Sequence, residues 1–195
     1  IQYNKIPYVL EPATEVNIYR NIFGNSIRKR FLPRVLENFA KVIIASRMNL
    51  ECAPLNGWIP HLEKYKRFCD AQGLLLRMEI YSGIIPDWLL EEDRKSFTAP
   101  VRWAVIAEGE KEGEDGLSGR ESVILFGSFV ERYAERPNLI SMDNMVDFFK
   151  NRVEKNLRDQ YIPKNFLASL TDSYDYRVLN EMKEALYFYN TEQIS

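Results

Sequence analysis

Apolar residues along this chain recur at steps of three and four rather than two, which predicts helices almost throughout. Pro12 and Thr14 start the first, carrying Val16, Tyr19 and Phe23 on one face and stopped by Gly24 and Asn25. The clearest pattern runs from Phe31 to about Met48. There Val35, Leu36, Phe39, Ile43 and Ile44 form a broad core stripe opposite Arg34, Glu37, Asn38 and Lys41. Cys52 to Trp58, with Pro54 and Gly57, reads as a loop, and Pro60 opens a helix bearing Leu62, Tyr65 and Phe68, with Gly73 at its end or at a bend. Leu74 to Tyr81 fits either a strand or a helix by periodicity. Its leucines, methionine, arginine and glutamate tilt it to helix.

A short turn from Pro86 or Asp87 through Trp88 to Arg94 leads to a helix begun by Thr98 and Pro100, with Val101, Ala104 and Val105 on its face. It dissolves into the charged run Glu108 to Asp115, which reads as solvated. Ser118 and Glu121 then fit a capping box, and Ser141 caps a further helix with Met145, Phe149, Val153 and Leu157 inward. After Pro163 a long pattern runs from Phe166 to Tyr189 through Leu167, Leu170, Tyr174, Val178 and Met182. Only residues 1 to 9 alternate like a strand, and a lone strand is marginal in water. With no stop signal after Tyr187 either, both ends read as cut from a longer protein.

The chemistry concentrates where the capping box sits. With Ser118 as N-cap, Arg120 falls in the first turn, where the helix dipole is positive and a cation costs roughly 0.3–1 kcal/mol unless an anion is near. Arginine beside free N–H groups makes a phosphate site, with Ser118, Gly119 and Glu121 as the supporting helix start. Val123, Phe126, Val130 and Tyr133 follow at helical spacing, so Arg120 is expected to head their apolar stripe. The competing reading pairs Arg120 with one of the acids between Glu110 and Asp115.

A chain of 195 residues can form one ordinary domain or two small ones. Its composition, 46% hydrophobic and 28% charged with net charge −2, carries no electrostatic bias toward nucleic acid or an anionic membrane. No apolar run approaches the roughly 18 residues of a spanning helix. Cys52 and Cys69 allow at most one disulfide and fit no metal pattern, which favours the reducing cytoplasm; His61, the only histidine, has no spaced partner and reads as a surface or packing residue. The chain lacks a GxxxxGK[ST] phosphate loop, an HExxH, a GxSxG and any HRD-like or DFG-like block, so no catalytic residue and no metal ligand is nominated.

Several blocks taken in order carry a family resemblance: Lys5-Ile6-Pro7-Tyr8-Val9-Leu10 with Thr14-Glu15 and Ile18-Tyr19, Leu36-Glu37 with Ala45-Ser46-Arg47-Met48, Gly116-Leu117-Ser118-Gly119-Arg120, and Ile162-Pro163-Lys164 before a tyrosine-bearing helix. In this order and separation the chain resembles the bacterial PrkA family of AAA+ ATPases, described as serine protein kinases. The resemblance implies a mainly α fold: a multi-helix AAA+ lid-like bundle with one N-terminal strand, followed by a long C-terminal helix. Residues 1–158 would be the C-terminal part of the AAA+ module, its last strand plus the helical lid, and 159–195 the truncated start of the next helical domain.

On this resemblance Arg120 occupies the position of the sensor-2 arginine, which reaches the γ-phosphate, and Arg47 also sits at a matching position whose role is open. ATP and Mg²⁺ would belong to the full-length protein and none to the fragment, since the phosphate loop, the Mg²⁺-binding acid and the first sensor would precede residue 1. The expected partners are the missing ATPase core and C-terminal domain of the same chain, with a homo-oligomer in view and neither nucleic acid nor membrane. The expected function is an ATP-sensing lid and linker without catalysis of its own; the alternative is a helical interaction module with no nucleotide role.

Overall fold

The computed structural model describes residues 7–134, 138–151, 153 and 155–192. Ten α-helices account for nearly all regular structure among them: α1 Pro12–Phe23, α2 Val35–Ala45, α3 Ala53–Trp58, α4 Leu74–Tyr81, α5 Glu91–Ser96, α6 Ala99–Gly109, α7 Gly119–Ala134, α8 Met142–Asn151, α9 Lys155–Tyr161 and α10 Phe166–Glu192. Short 3-10 segments cover Asn25–Arg30 and Leu62–Tyr65. The expected mainly helical fold with a long C-terminal helix is what forms. The N-terminal strand is not shown: residues 1–6 lie outside the described residues, and residues 7–10 carry no strand.

The core is built on α2, which is buried on nearly every side. Phe39 stands at its centre, with ring centroids 5.1 Å from Phe129, 5.3 Å from Phe126 and 5.0 Å from Phe149, so one aromatic cluster fastens α2 to α7 and α8. Tyr19 stacks on Phe126 at 4.2 Å and adds α1. Such ring pairs contribute about 0.5–1.5 kcal/mol each beyond the area they bury. A second layer packs α3 and α4 against α6 and brings α10 onto α2.

Several boundaries move for physical reasons. α2 begins at Val35, not Phe31, because Pro33 and a left-handed Arg34 (φ 65°) delay it. Phe31 instead forms an isolated parallel bridge with Ile140. Cys52 to Trp58 is not a loop: Pro54 sits in the first turn, where its missing N–H costs nothing, and α3 follows. The segment after Pro60 shrinks to a 3-10 turn, and Gly73 (φ 70°) introduces α4 instead, whose first amides are bound by the Asp70 carboxylate.

The pattern through Val153 and Leu157 splits into α8 and α9. Val153 is buried, whereas the Leu157 side chain lies outside the described residues. In α10 the apolar pattern is buried only in the first half; Met182, Leu186 and Tyr189 are exposed. Asn38, expected in solvent, is buried and donates to the Met142 sulfur at 3.7 Å. Glu112, expected in a solvated run, is buried against Arg77.

Candidate functional site at the start of α7

Ser118 caps α7 as its sequence predicts. The Glu121 N–H donates to the Ser118 hydroxyl at 3.2 Å, and the Ser118 N–H donates back to the Glu121 carboxylate at 2.8 Å. The Ser118 hydroxyl and N–H also hold the Glu121 carboxyl below the usual carboxylate range. Gly119 follows at the first helical position, and a Cβ built there would meet nothing within 4 Å, so the approach to the first turn is open. The N–H groups of Gly119 and Arg120 have no intrahelical acceptor at this end.

Arg120 is exposed and has no ion-pair or hydrogen-bond partner among the described residues. The competing pairing with Glu110 to Asp115 does not form among them. Arg120 also does not head the core stripe. The buried face of α7 keeps Phe126 and Tyr133 of the expected stripe but takes Ser122 and Phe129 in place of Val123 and Val130, which are only partly buried, and Arg120 is turned to solvent. A cation without an ion-pair partner among the described residues thus stands in the first turn of a 16-residue helix, where the dipole favours an anion.

What lies beneath this turn escaped the sequence reading. Ser122 is fully buried and donates to Glu15, which is also within 3.2 Å of the Tyr19 hydroxyl. Burial and the neighbouring Glu15 raise the Tyr19 phenol well above its ordinary pKa, so it stays a donor. Arg47 completes the cluster: its Nη1 reaches Glu15 at 2.9 Å and the Val9 carbonyl at 2.8 Å, while its Nε reaches the Leu117 carbonyl at 2.7 Å. The side chains of Arg47 and Glu15 are both 1% exposed. Arg47 is therefore turned inward, onto the residue just before the cap. The available signal was a carboxylate, Glu15, adjacent to the apolar face of α1 with Tyr19 one turn on.

Backbone geometry locks the same junction. Gly116 has φ 95°, and a Cβ on it would lie 2.1 Å from the Ser46 carbonyl oxygen, so only glycine lets this loop pass the end of α2. The Leu117 N–H donates to the Ser46 hydroxyl at 3.1 Å, and the Gly113 N–H to the Arg47 carbonyl at 3.0 Å. Tyr8 joins through its N–H to Gly113 at 2.7 Å. The start of α7 is thus fixed to α1, α2 and the segment before α1.

Other candidate chemistry is sparse. Cys52 and Cys69 are free and buried, and burial raises both thiols above their ordinary pKa. His61 is exposed beside Glu63, at 3.0 Å. Among the described residues there is no cluster of metal-ligating side chains, and no helix is long and apolar enough to cross a membrane.

Comparison with known proteins finds no match among curated proteins or solved structures. It does find one among protein families: residues 75–195, from α4 through α10, match the PrkA serine protein kinase C-terminal domain. The matched span carries the whole of α7 and runs across position 158. With more than half of its length matched, the chain belongs to the PrkA serine protein kinase family.

Proposed function

We propose that this chain is the ATP-responsive lid and linker of a PrkA-type AAA+ ATPase module, with Arg120 as the sensor that reaches the γ-phosphate. The observation that carries the reading is the exposed Arg120 in the first turn of α7, without a partner among the described residues, on a helix start that is otherwise fully anchored. An unpaired guanidinium beside open N–H donors suits a phosphate oxygen, because the planar fork and the helix dipole act on the same anion. Arg47 serves as a positioning residue. It holds Leu117, so that closure around nucleotide moves the α7 start with α1 and α2 as one body.

ATP and Mg²⁺ then bind the ATPase core of the same polypeptide, in the cytoplasm, while α4 through α10 lie in the span that matches the family's C-terminal domain. No nucleophile and base for a reaction of its own are nominated among the described residues. The interaction-module alternative draws on the distal half of α10, where Leu179, Met182 and Leu186 are exposed.

The test is Arg120→Ala in the full-length protein, with melting temperature and ATP hydrolysis measured together. The lid reading expects an intact fold and a loss in ATP-dependent steps on the order of 2–4 kcal/mol, as for one preorganised donor. Arg120→Lys should rescue only in part, because an ammonium cannot reproduce the fork. Normal hydrolysis by Arg120→Ala would overturn the assignment and leave the interaction reading.

A further inference from the structure

A groove of about 480 Å³ opens between α1, the 3-10 segment Asn25–Arg30, α2, the end of α4 and α10. None of its lining residues belongs to α7, so it is a different place from the Arg120 site. Cations dominate its wall. Arg34 pairs with Glu181 and Arg177 with Glu79, while Arg20 donates to the side-chain carbonyls of Asn17 and Asn25. The other two, Lys41 and Arg28, have no hydrogen-bond or ion-pair partner among the described residues.

Lys41 rises from the middle of α2, a helix packed on almost every side, so its stem is enclosed and its ammonium faces the groove. Burial, reinforced by Arg177, lowers its pKa to about 8, against the opposing pull of Glu79 and Glu37. An unpaired cation in such a place costs stability unless something occupies the groove. The lining carries five basic side chains and three carboxylates, Glu11, Glu37 and Glu79, and with Glu181, the partner of Arg34, counted as well the excess is one positive charge. Pro12 and Ala13, the first turn of α1, line it too, with the Glu11 carboxylate at the N-cap offsetting the positive end of that helix.

We propose that this groove binds a small phosphate monoester, its anion held by Lys41 and Arg28. Two unpaired cations match the roughly −1.5 to −2 charge of a phosphate monoester near neutral pH, whereas a carboxylate brings a single charge. The groove's size lies in the range of small-molecule sites. The proposal does not rest on the lid reading.

The experiment is a calorimetric titration of the 195-residue chain with phenyl phosphate, with benzoate as the carboxylate of similar shape. Saturable binding of phenyl phosphate is expected, weakened about tenfold or more by either Lys41→Met or Arg28→Gln, as charge-assisted contacts imply. Lys95→Met, on the surface of α5 and outside the groove, should bind as the parent does. Between about pH 7 and about pH 9 the parent's affinity should fall as Lys41 loses its proton, since the ester, with its second pKa at about 6, is already fully ionised. Lys41→Met should lack that fall. The proposal is overturned if phenyl phosphate does not saturate, if benzoate binds equally well, if both groove variants bind like the parent, or if Lys95→Met weakens binding as much as they do.

Discussion

Two arginine–glutamate pairs are buried among the described residues, and they are not equivalent. In the pair under α7, every nitrogen of the Arg47 guanidinium has an acceptor, and Glu15 is shared with Tyr19 and Ser122. In the pair between α4 and the loop before α7, Arg77 binds Glu112 and the Asn49 carbonyl, but Arg77 Nε and Glu112 Oε2 are left without partners. Burial raises the Glu112 carboxyl above its usual range despite Arg77 beside it. Side-chain exposure is almost identical, 1% for both members of the first pair and 0% for both of the second. Satisfaction, not burial, separates them: desolvating two charges is offset only when the remaining lone pairs and protons are also served. The better-served pair is the one that positions the candidate site.

Breaking the first pair should have the largest effect. Arg47→Met strands Glu15 in the core and frees the Val9 and Leu117 carbonyls, and should cost about 3–5 kcal/mol in urea unfolding. A cost near zero would erase the distinction drawn between the pairs. Replacing whole pairs sharpens it. Arg77→Met with Glu112→Leu should be neutral or stabilising by up to about 1–4 kcal/mol, because a poorly satisfied buried pair gives way readily to packed apolar groups. Arg47→Met with Glu15→Leu should remain destabilised by about 1–3 kcal/mol, since Tyr19, Ser122 and two carbonyls lose partners. Equal outcomes for the two double variants would refute the comparison.

The smallest effect is expected at Lys41, a half-enclosed cation with no ion pair among the described residues. Its folded pKa of about 8 lies below the ordinary value of 10.5, so the folded state favours the neutral amine. The associated stability is present above pH 10.5 and is lost as pH falls through about 8. Lys41→Met should therefore be more stable than the parent at neutral pH, on the order of 1 kcal/mol, with the gap closing across that window. Melting temperatures measured through the window check the sign, and a gap that widened with pH would contradict it.

The sequence by itself determined what is local. The helical character follows from the three-and-four spacing, and the Ser118–Glu121 and Ser141–Asn144 caps form because their members are three residues apart and meet as soon as the first turn closes. Placing Arg120 in the first turn of α7 needed nothing more. Tertiary structure decided the rest, since its contacts span distances in sequence that periodicity does not register: Arg47 with Leu117, Glu15 with Ser122 and Arg77 with Glu112. It buried Asn38 and Glu112, half-enclosed Lys41, and left the distal part of α10 exposed although its apolar spacing continues. Spacing tells a residue which neighbours share its face. Only packing tells that face what it meets, and for Arg120 it met solvent, while Arg47 met Glu15.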